Sequence, residues 1–450
     1  MNWGNHSPFL FIPVLSVLPM VDLSVSAIAD RHRKQAVADG QVFVAPPLFS
    51  TSVNIMSMQN DATPLQPVPT SERILALDVL RGFALFGVLL AYALWNLGNP
   101  PWDTYSQADR ILQFALATLV DTKAYTLFAF LFGLGFSIQL TRAETRGASI
   151  VPVYCRRLLA LLLIGLAHAL LLRNGDILVP YAVMGFFLLL FRNASNKTLA
   201  VGAIIGLLYP YLARGAWNLT GIPFPQRPEM EGASYLAENY AWIRYWYSTA
   251  ITSWPASLPM FFFGLYVGRR RWFEKMAGDR RSLWRALAIG LGVGVLAFAG
   301  RMPLLMMKEN PFLFFAPRLA LGLLWSAHAW GFAAFYAALL LLVLQKRSWQ
   351  QRLAPLGAVG RMALTNYLLQ AIIIVPVCIG FNLFGRVTPS IGVMLALVVW
   401  SAQVPASVWW LRRFRFGPAE WLWRSLTYGR LQPMRMASSP HQQVEIIPTS

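Results

Sequence analysis

A chain of 450 residues that is 56% hydrophobic and only 13% charged, with a mean hydropathy of +0.50, does not match a soluble domain, where about a quarter of residues are charged. Its net charge of +19 does not mark a nucleic-acid binder, because Lys and Arg lie in short clusters between apolar runs, which is orientation signal for a membrane protein. Cys155 and Cys378 stand far apart with no CxxC or Cys/His spacing, so neither a disulfide scaffold nor a metal site is expected.

In chain order, residues 1–71 differ from the rest: an apolar run from Phe9 to Leu18 gives way to a Ser/Pro/Gln-rich stretch. Ala27-Ile28-Ala29 resembles a signal cleavage site, but no Lys or Arg precedes the run and Asp22 interrupts its end. The expectation is a disordered leader, or a non-native extension with translation beginning at Met56 or Met58. From residue 72 to 411 the pattern predicts an all-α, polytopic integral membrane bundle of about ten transmembrane helices, each near the roughly 20 residues that span a bilayer. Their approximate limits are 74–96, 113–140, 157–173, 176–192, 198–216, 246–268, 283–303, 319–344, 356–382 and 390–411. Residues 412–436 are expected to form a cytoplasmic amphipathic interfacial helix, and 437–450 a disordered tail.

Loop charge sets the orientation. Arg142, Arg146, Arg156 and Arg157 follow the second span; Arg269, Arg270, Arg271, Lys275, Arg280, Arg281 and Arg285 follow the sixth; Arg412, Arg413 and Arg415 follow the tenth. These exits read as cytoplasmic, and the loop carrying Glu229, Glu231 and Glu238 as external. Both termini are therefore expected in the cytoplasm.

Ionisable groups at membrane depth are costly and therefore mark candidate sites. Asp78 and Arg81, three residues apart on the first span, read either as a self-satisfying ion pair or as part of a site. Lys123, in Asp121-Thr122-Lys123, reads as a lysine snorkelling to the outer headgroups. His168 lies near mid-membrane and Asp176 follows a hairpin turn; with the helix continued, the two would stand about 12 Å apart along its axis. His328, between Trp325 and Trp330, reads by default as a bonded core residue, and Arg301 as a cation that binds an anionic group or snorkels outward. No Walker loop, GxSxG, HExxH or GxGxxG before a strand is present.

Three stretches go beyond generic membrane character. They are Arg73-Ile74-Leu75-Ala76-Leu77-Asp78-Val79-Leu80-Arg81-Gly82, followed by Leu127 to Gly133; Gly165 to His168, then Gly175-Asp176-Ile177-Leu178; and Gly360-Arg361-Met362-Ala363-Leu364-Thr365-Asn366-Tyr367, closed by Gly417-Pro418-Ala419-Glu420-Trp421-Leu422-Trp423-Arg424-Ser425-Leu426-Thr427-Tyr428-Gly429. Together they resemble the YeiB-like bacterial membrane proteins, designated domain of unknown function 418, over about residues 72–435. The opening motif is also similar to that of transmembrane acyltransferases of the heparan-α-glucosaminide N-acetyltransferase type. That resemblance implies acyl transfer from cytoplasmic acyl-CoA, a co-substrate rather than a resident cofactor, to an envelope-glycan or small-molecule acceptor. Such enzymes carry a histidine after the first span, whereas 97–110 here holds Trp102, Asp103 and Asp109 and no histidine. His168 or Asp103 would have to replace it as base.

The site expected on this reading comprises His168, Asp176 and Asp78 as catalytic groups and Arg81, Arg156, Arg157 and Arg361 around the acyl-CoA phosphates. Lys123, His328 and Asn366 are further polar intramembrane residues. A small-solute transporter and a non-catalytic assembly factor are the alternatives. The lipid bilayer is the one partner composition establishes.

Overall fold

The computed structural model describes residues 75–95, 104–172, 176–226, 235–306 and 316–436. The expected leader (1–71) and tail (437–450), Trp102, Asp103, Glu229 and Glu231 lie outside the described residues. Among the described residues the chain is all-α, with one isolated bridge, Phe414 to Arg435, and no strand.

Helix α1 (Leu75–Trp95) carries Asp78 and Arg81 in its first two turns and no charged residue after them. The second predicted span is two helices. α2 (Gln107–Leu119) starts at Ser106, whose hydroxyl accepts the Asp109 N–H, and α3 (Lys123–Thr145) begins after Thr122, which adopts φ +66°, a conformation β-branched residues avoid. α4 (Val151–Leu171) and α5 (Leu178–Leu190) form a hairpin. At 13 residues, α5 is about 20 Å long, short of a bilayer core. α6 (Asn196–Leu219) follows, capped by Ser195.

Much of the expected outer loop before residue 245 is helical: α7 runs Tyr235–Ser248, then α8 (Ala250–Ser253) and a 3-10 turn lead into α9 (Leu258–Arg269). A short α10 (Trp272–Gly278) connects to α11 (Arg280–Met306) and α12 (Ala316–Leu344), which pack closely through Gly290, Gly294 and Gly331. The ninth predicted span is likewise split, into α13 (Arg347–Arg361) and α14 (Ala363–Gly380), with Met362 between them. α15 (Pro389–Leu411) and α16 (Pro418–Tyr428) close the chain, α16 ending on Gly429 at φ +65°.

Among the described residues, nine segments are long and apolar enough to cross a membrane, and α5 is the tenth apolar helix. Two close approaches position the polar residues. Where α1 crosses α13, a Cβ on Gly360 would overlap the Asp78 carbonyl and one on Gly82 the Leu356 carbonyl. At the α4/α5 hairpin a Cβ on Gly165 would lie 2.9 Å from Asp176 Oδ2 and from Leu178 Cβ.

Candidate functional site

The helix carrying His168 ends at Leu171, and the chain reverses rather than continuing, so the 12 Å separation does not hold: His168 Nδ1 lies 3.0 Å from Asp176 Oδ1, both side chains 2% exposed. Asp176 Oδ2 accepts the Val179 N–H at 2.8 Å, in the first turn of α5, and Oδ1 also accepts from the Tyr367 hydroxyl at 3.2 Å. The Ile177 N–H donates to that same hydroxyl. The carboxylate is thus fixed on three sides. In the neutral tautomer whose Nδ1–H donates to this carboxylate, Nε2 keeps its lone pair, and Nε2 is buried with no partner. An orienting carboxylate behind a histidine with one free nitrogen is the geometry of a general base.

The amphipathic α7 covers this end of α4. Tyr235 donates to the Leu172 carbonyl, and Asn239, 4% exposed, donates from Nδ2 to the Ala169 carbonyl at 3.2 Å. A carbonyl only accepts, which fixes the amide orientation and leaves Asn239 Oδ1 as a second buried acceptor without a partner. Tyr367 and Asn239 are functional candidates that sequence reasoning missed. Tyr367 adjoins Asn366 in the quoted motif, a signal that was available; Asn239 had none.

Asp78 does not join this group. It pairs with Arg81 at 3.2 Å, and it lies seven residues, about 10 Å along α1, from Leu85, which packs with Tyr367. Three of the four expected arginines gather there instead: Asp78 acts electrostatically on Arg361, and Arg81 on Arg157. Arg361 Nε is buried without a partner. Arg157 stacks 3.8 Å over the Trp423 ring, whose indole N–H donates to the Arg157 carbonyl at 2.8 Å. Arg156 is exposed near Gly429 and stands apart from the cluster. Arg157 and His168 are eleven residues apart on α4, about 16 Å.

Asn366 is a packing residue: Nδ2 donates to Ser407 Oγ at 3.0 Å and its carbonyl accepts from Gln403. Lys123 does not snorkel. It is 1% exposed and donates from Nζ to the Ala117 carbonyl at 3.1 Å, across the break between α2 and α3. His328 binds two carbonyls, Gly294 through Nδ1 and Thr118 through Nε2, each at 3.0 Å. Tyr336 donates to the Leu119 carbonyl at 2.7 Å, so the three carbonyls opened by the break are each occupied by a side chain.

The closing helix exposes Leu422 and Leu426 and buries Glu420, Ser425 and Thr427. Glu420 Oε1 accepts the Leu364 and Thr365 N–H groups at 2.6 and 3.0 Å, and Oε2 accepts the Thr365 hydroxyl at 2.5 Å. It caps the start of α14 from 56 residues downstream. Among the described residues no group of three or more His, Cys, Asp or Glu is placed to hold a metal ion.

Apolar helices of bilayer length, crossing around buried polar clusters, define a multi-pass α-helical membrane protein. The profile of the family described as "Protein of unknown function (DUF418)" matches residues 267–430. The chain is 36% identical over 412 residues to the uncharacterized protein YxaH of Bacillus subtilis, an alignment covering 82% of this chain and 98% of that protein. It is 29% identical over 392 residues to the uncharacterized protein YeiB of Escherichia coli, covering 79% and 96%. The chain belongs to the DUF418 family.

Proposed function

We propose that this protein is a membrane-embedded acyltransferase in which His168 is the general base. The observation that carries the reading is the His168–Asp176 pair with Nε2 buried and unpartnered. Arg81, Arg157 and Arg361 sit at the opposite end of α4, suited to the phosphates of acyl-CoA, and the carrier arm would bring the thioester along the helix toward His168. An acceptor hydroxyl or amine attacks the thioester carbonyl carbon while Nε2 takes its proton. The carbon–sulfur bond breaks, and the thiolate leaves with the proton that the imidazolium returns. Nε2 and Asn239 Oδ1 are both acceptors, which favours a donor-bearing acceptor over an anionic one.

Equilibrium binding of radiolabelled acetyl-CoA to the full chain in nanodiscs tests this. Saturable binding should weaken about tenfold or more in Arg361→Gln, the loss of a charged hydrogen bond to phosphate, and persist in Arg412→Gln. Absence of saturable binding to the wild type would end the reading. The arginine end should face the cytoplasm of a bacterial inner membrane. Reporters placed after Ser450 and near Gly278 should then read cytoplasm and one near Glu231 the outside; any one reversed overturns this orientation.

One observation favours a transporter as the second reading. The backbone breaks at 120–122 inside a membrane-crossing segment, as in the discontinuous helices that bind ions and solutes. Here the freed carbonyls already hold Lys123, His328 and Tyr336, which makes the break a sealed joint and weighs for the enzyme.

A further inference from the structure

A second polar cluster lies on α3, α11 and α12, away from His168. His328 is wholly buried, and both ring nitrogens face carbonyl oxygens at 3.0 Å. Carbonyls only accept, so His328 spends its ring N–H on them and offers no free donor to a ligand. Lys123 has one acceptor, the Ala117 carbonyl, for its three donors, at 1% exposure. Arg301 is 6% exposed, its guanidinium 4.4 Å from the Trp325 ring and 5.1 Å from Phe298, with Nε buried and unpartnered. No carboxylate lies within ion-pair distance of Arg301 or Lys123 among the described residues. Phe298 links the cluster, its ring 5.1 Å from the Arg301 guanidinium and 5.5 Å from the His328 ring, and His328 and Lys123 take the neighbouring Thr118 and Ala117 carbonyls; Asp121 stands two residues before Lys123.

Buried cations persist only when an opposite charge answers them. A planar guanidinium stacked on an indole, with its Nε–H open and an ammonium nearby, is a recognition set for oxyanions. The geometry points to an anion-binding site formed by Arg301 and Lys123, beside His328, taking an oxyanion of the phosphate class. Arg301 lies 21 residues into α11, about 31 Å from its start, near one end of a membrane-crossing helix. A dissolved phosphate and the phosphodiester of a net-anionic lipid headgroup, with no choline cation to compensate it, can both reach such a position. The site is independent of the acyltransferase reading, since it uses none of the same residues.

The test is the melting temperature of the full chain in nanodiscs. In phosphatidylcholine discs, titration with inorganic phosphate at constant ionic strength should raise it saturably if the anion comes from solution. If a lipid supplies it, discs containing phosphatidylglycerol should give the rise, with no further response to phosphate. In either case Arg301→Gln should abolish the shift, Arg301→Lys should keep a weaker one by retaining the charge, and the surface variant Arg412→Gln should behave as wild type. A melting temperature insensitive to both anions overturns the proposal. So does a shift that survives in Arg301→Gln, which would assign the effect to the basic surface. If Arg301→Gln yields no folded protein, Lys123→Met and Arg301→Lys carry the comparison, and an undiminished shift in both overturns it equally.

Discussion

His168→Gln is expected to lower acyl transfer by roughly 10²–10⁴-fold, the contribution of a positioned general base, while leaving protein level and melting temperature close to wild type. The reason lies in how partners are shared. His168 has one polar partner, Asp176, whereas Asp176 also receives Val179 and Tyr367. Glutamine retains a donor for the carboxylate, so Asp176 stays fixed and the proton-accepting nitrogen alone is lost. Asp176→Asn should depress activity comparably but also reduce stability, because up to three donors lose a charged acceptor and each such loss costs about 1–3 kcal/mol. Measuring transfer beside melting temperature for both variants separates the roles. Matched losses in His168→Gln would return the histidine to the core; wild-type transfer would remove it from the site.

Glu420→Ala is expected to be the more damaging change to the fold, at about 2–4 kcal/mol, since it leaves the Leu364 and Thr365 N–H groups and the Thr365 hydroxyl without their buried acceptor. Loss of the cap should free α16 and, with it, the Trp423 stack on Arg157; limited proteolysis after Arg412 would report the release. Burial holds the Glu420 carboxyl above its ordinary 4.5, against the opposing pull of the Thr365 and Leu364 hydrogen bonds. The folded protein then keeps this proton at pH values where the unfolded chain has lost it. Stability should fall as pH rises from the ordinary carboxylate range through the raised value, and be level on either side. Glu420→Gln removes that slope, so the difference in melting temperature between it and the wild type should change with pH in that window only. A pH-independent difference would show that the carboxyl titrates as in the unfolded chain.

The bundle was legible because hydropathy averaged over a span is insensitive to detail: α1, α4, α11, α12 and α15 lie close to their predicted limits. The same averaging hid the breaks. Nothing in the apolar run from 113 to 140 signals that Thr122 adopts positive φ, because the side chains that make the break tolerable, His328 and Tyr336, come from more than 200 residues downstream. The site was half legible. Gly165, His168 and Asp176 were singled out, but extending the helix through Asp176 gave the wrong separation, since the reversal depends on the close approach that Gly165 permits. Asn239 was hidden because α7 reads as polar loop and becomes a helix only against the end of α4. Glu420 was quoted within its motif, yet its partner is the start of another helix, a relation that no local pattern encodes.

The sealed joint between α2 and α3 has a mechanical consequence. Lys123 ties α3 to α2, His328 ties α12 to both α2 and α11, and Tyr336 adds a second tether from α12 to α2. These four helices therefore behave as a single stator, and sliding any one of them would strand a buried carbonyl. Any bending within the bundle falls to the remaining helices, where the 3-10 turn at Trp254–Ser257 interrupts the helical hydrogen bonding.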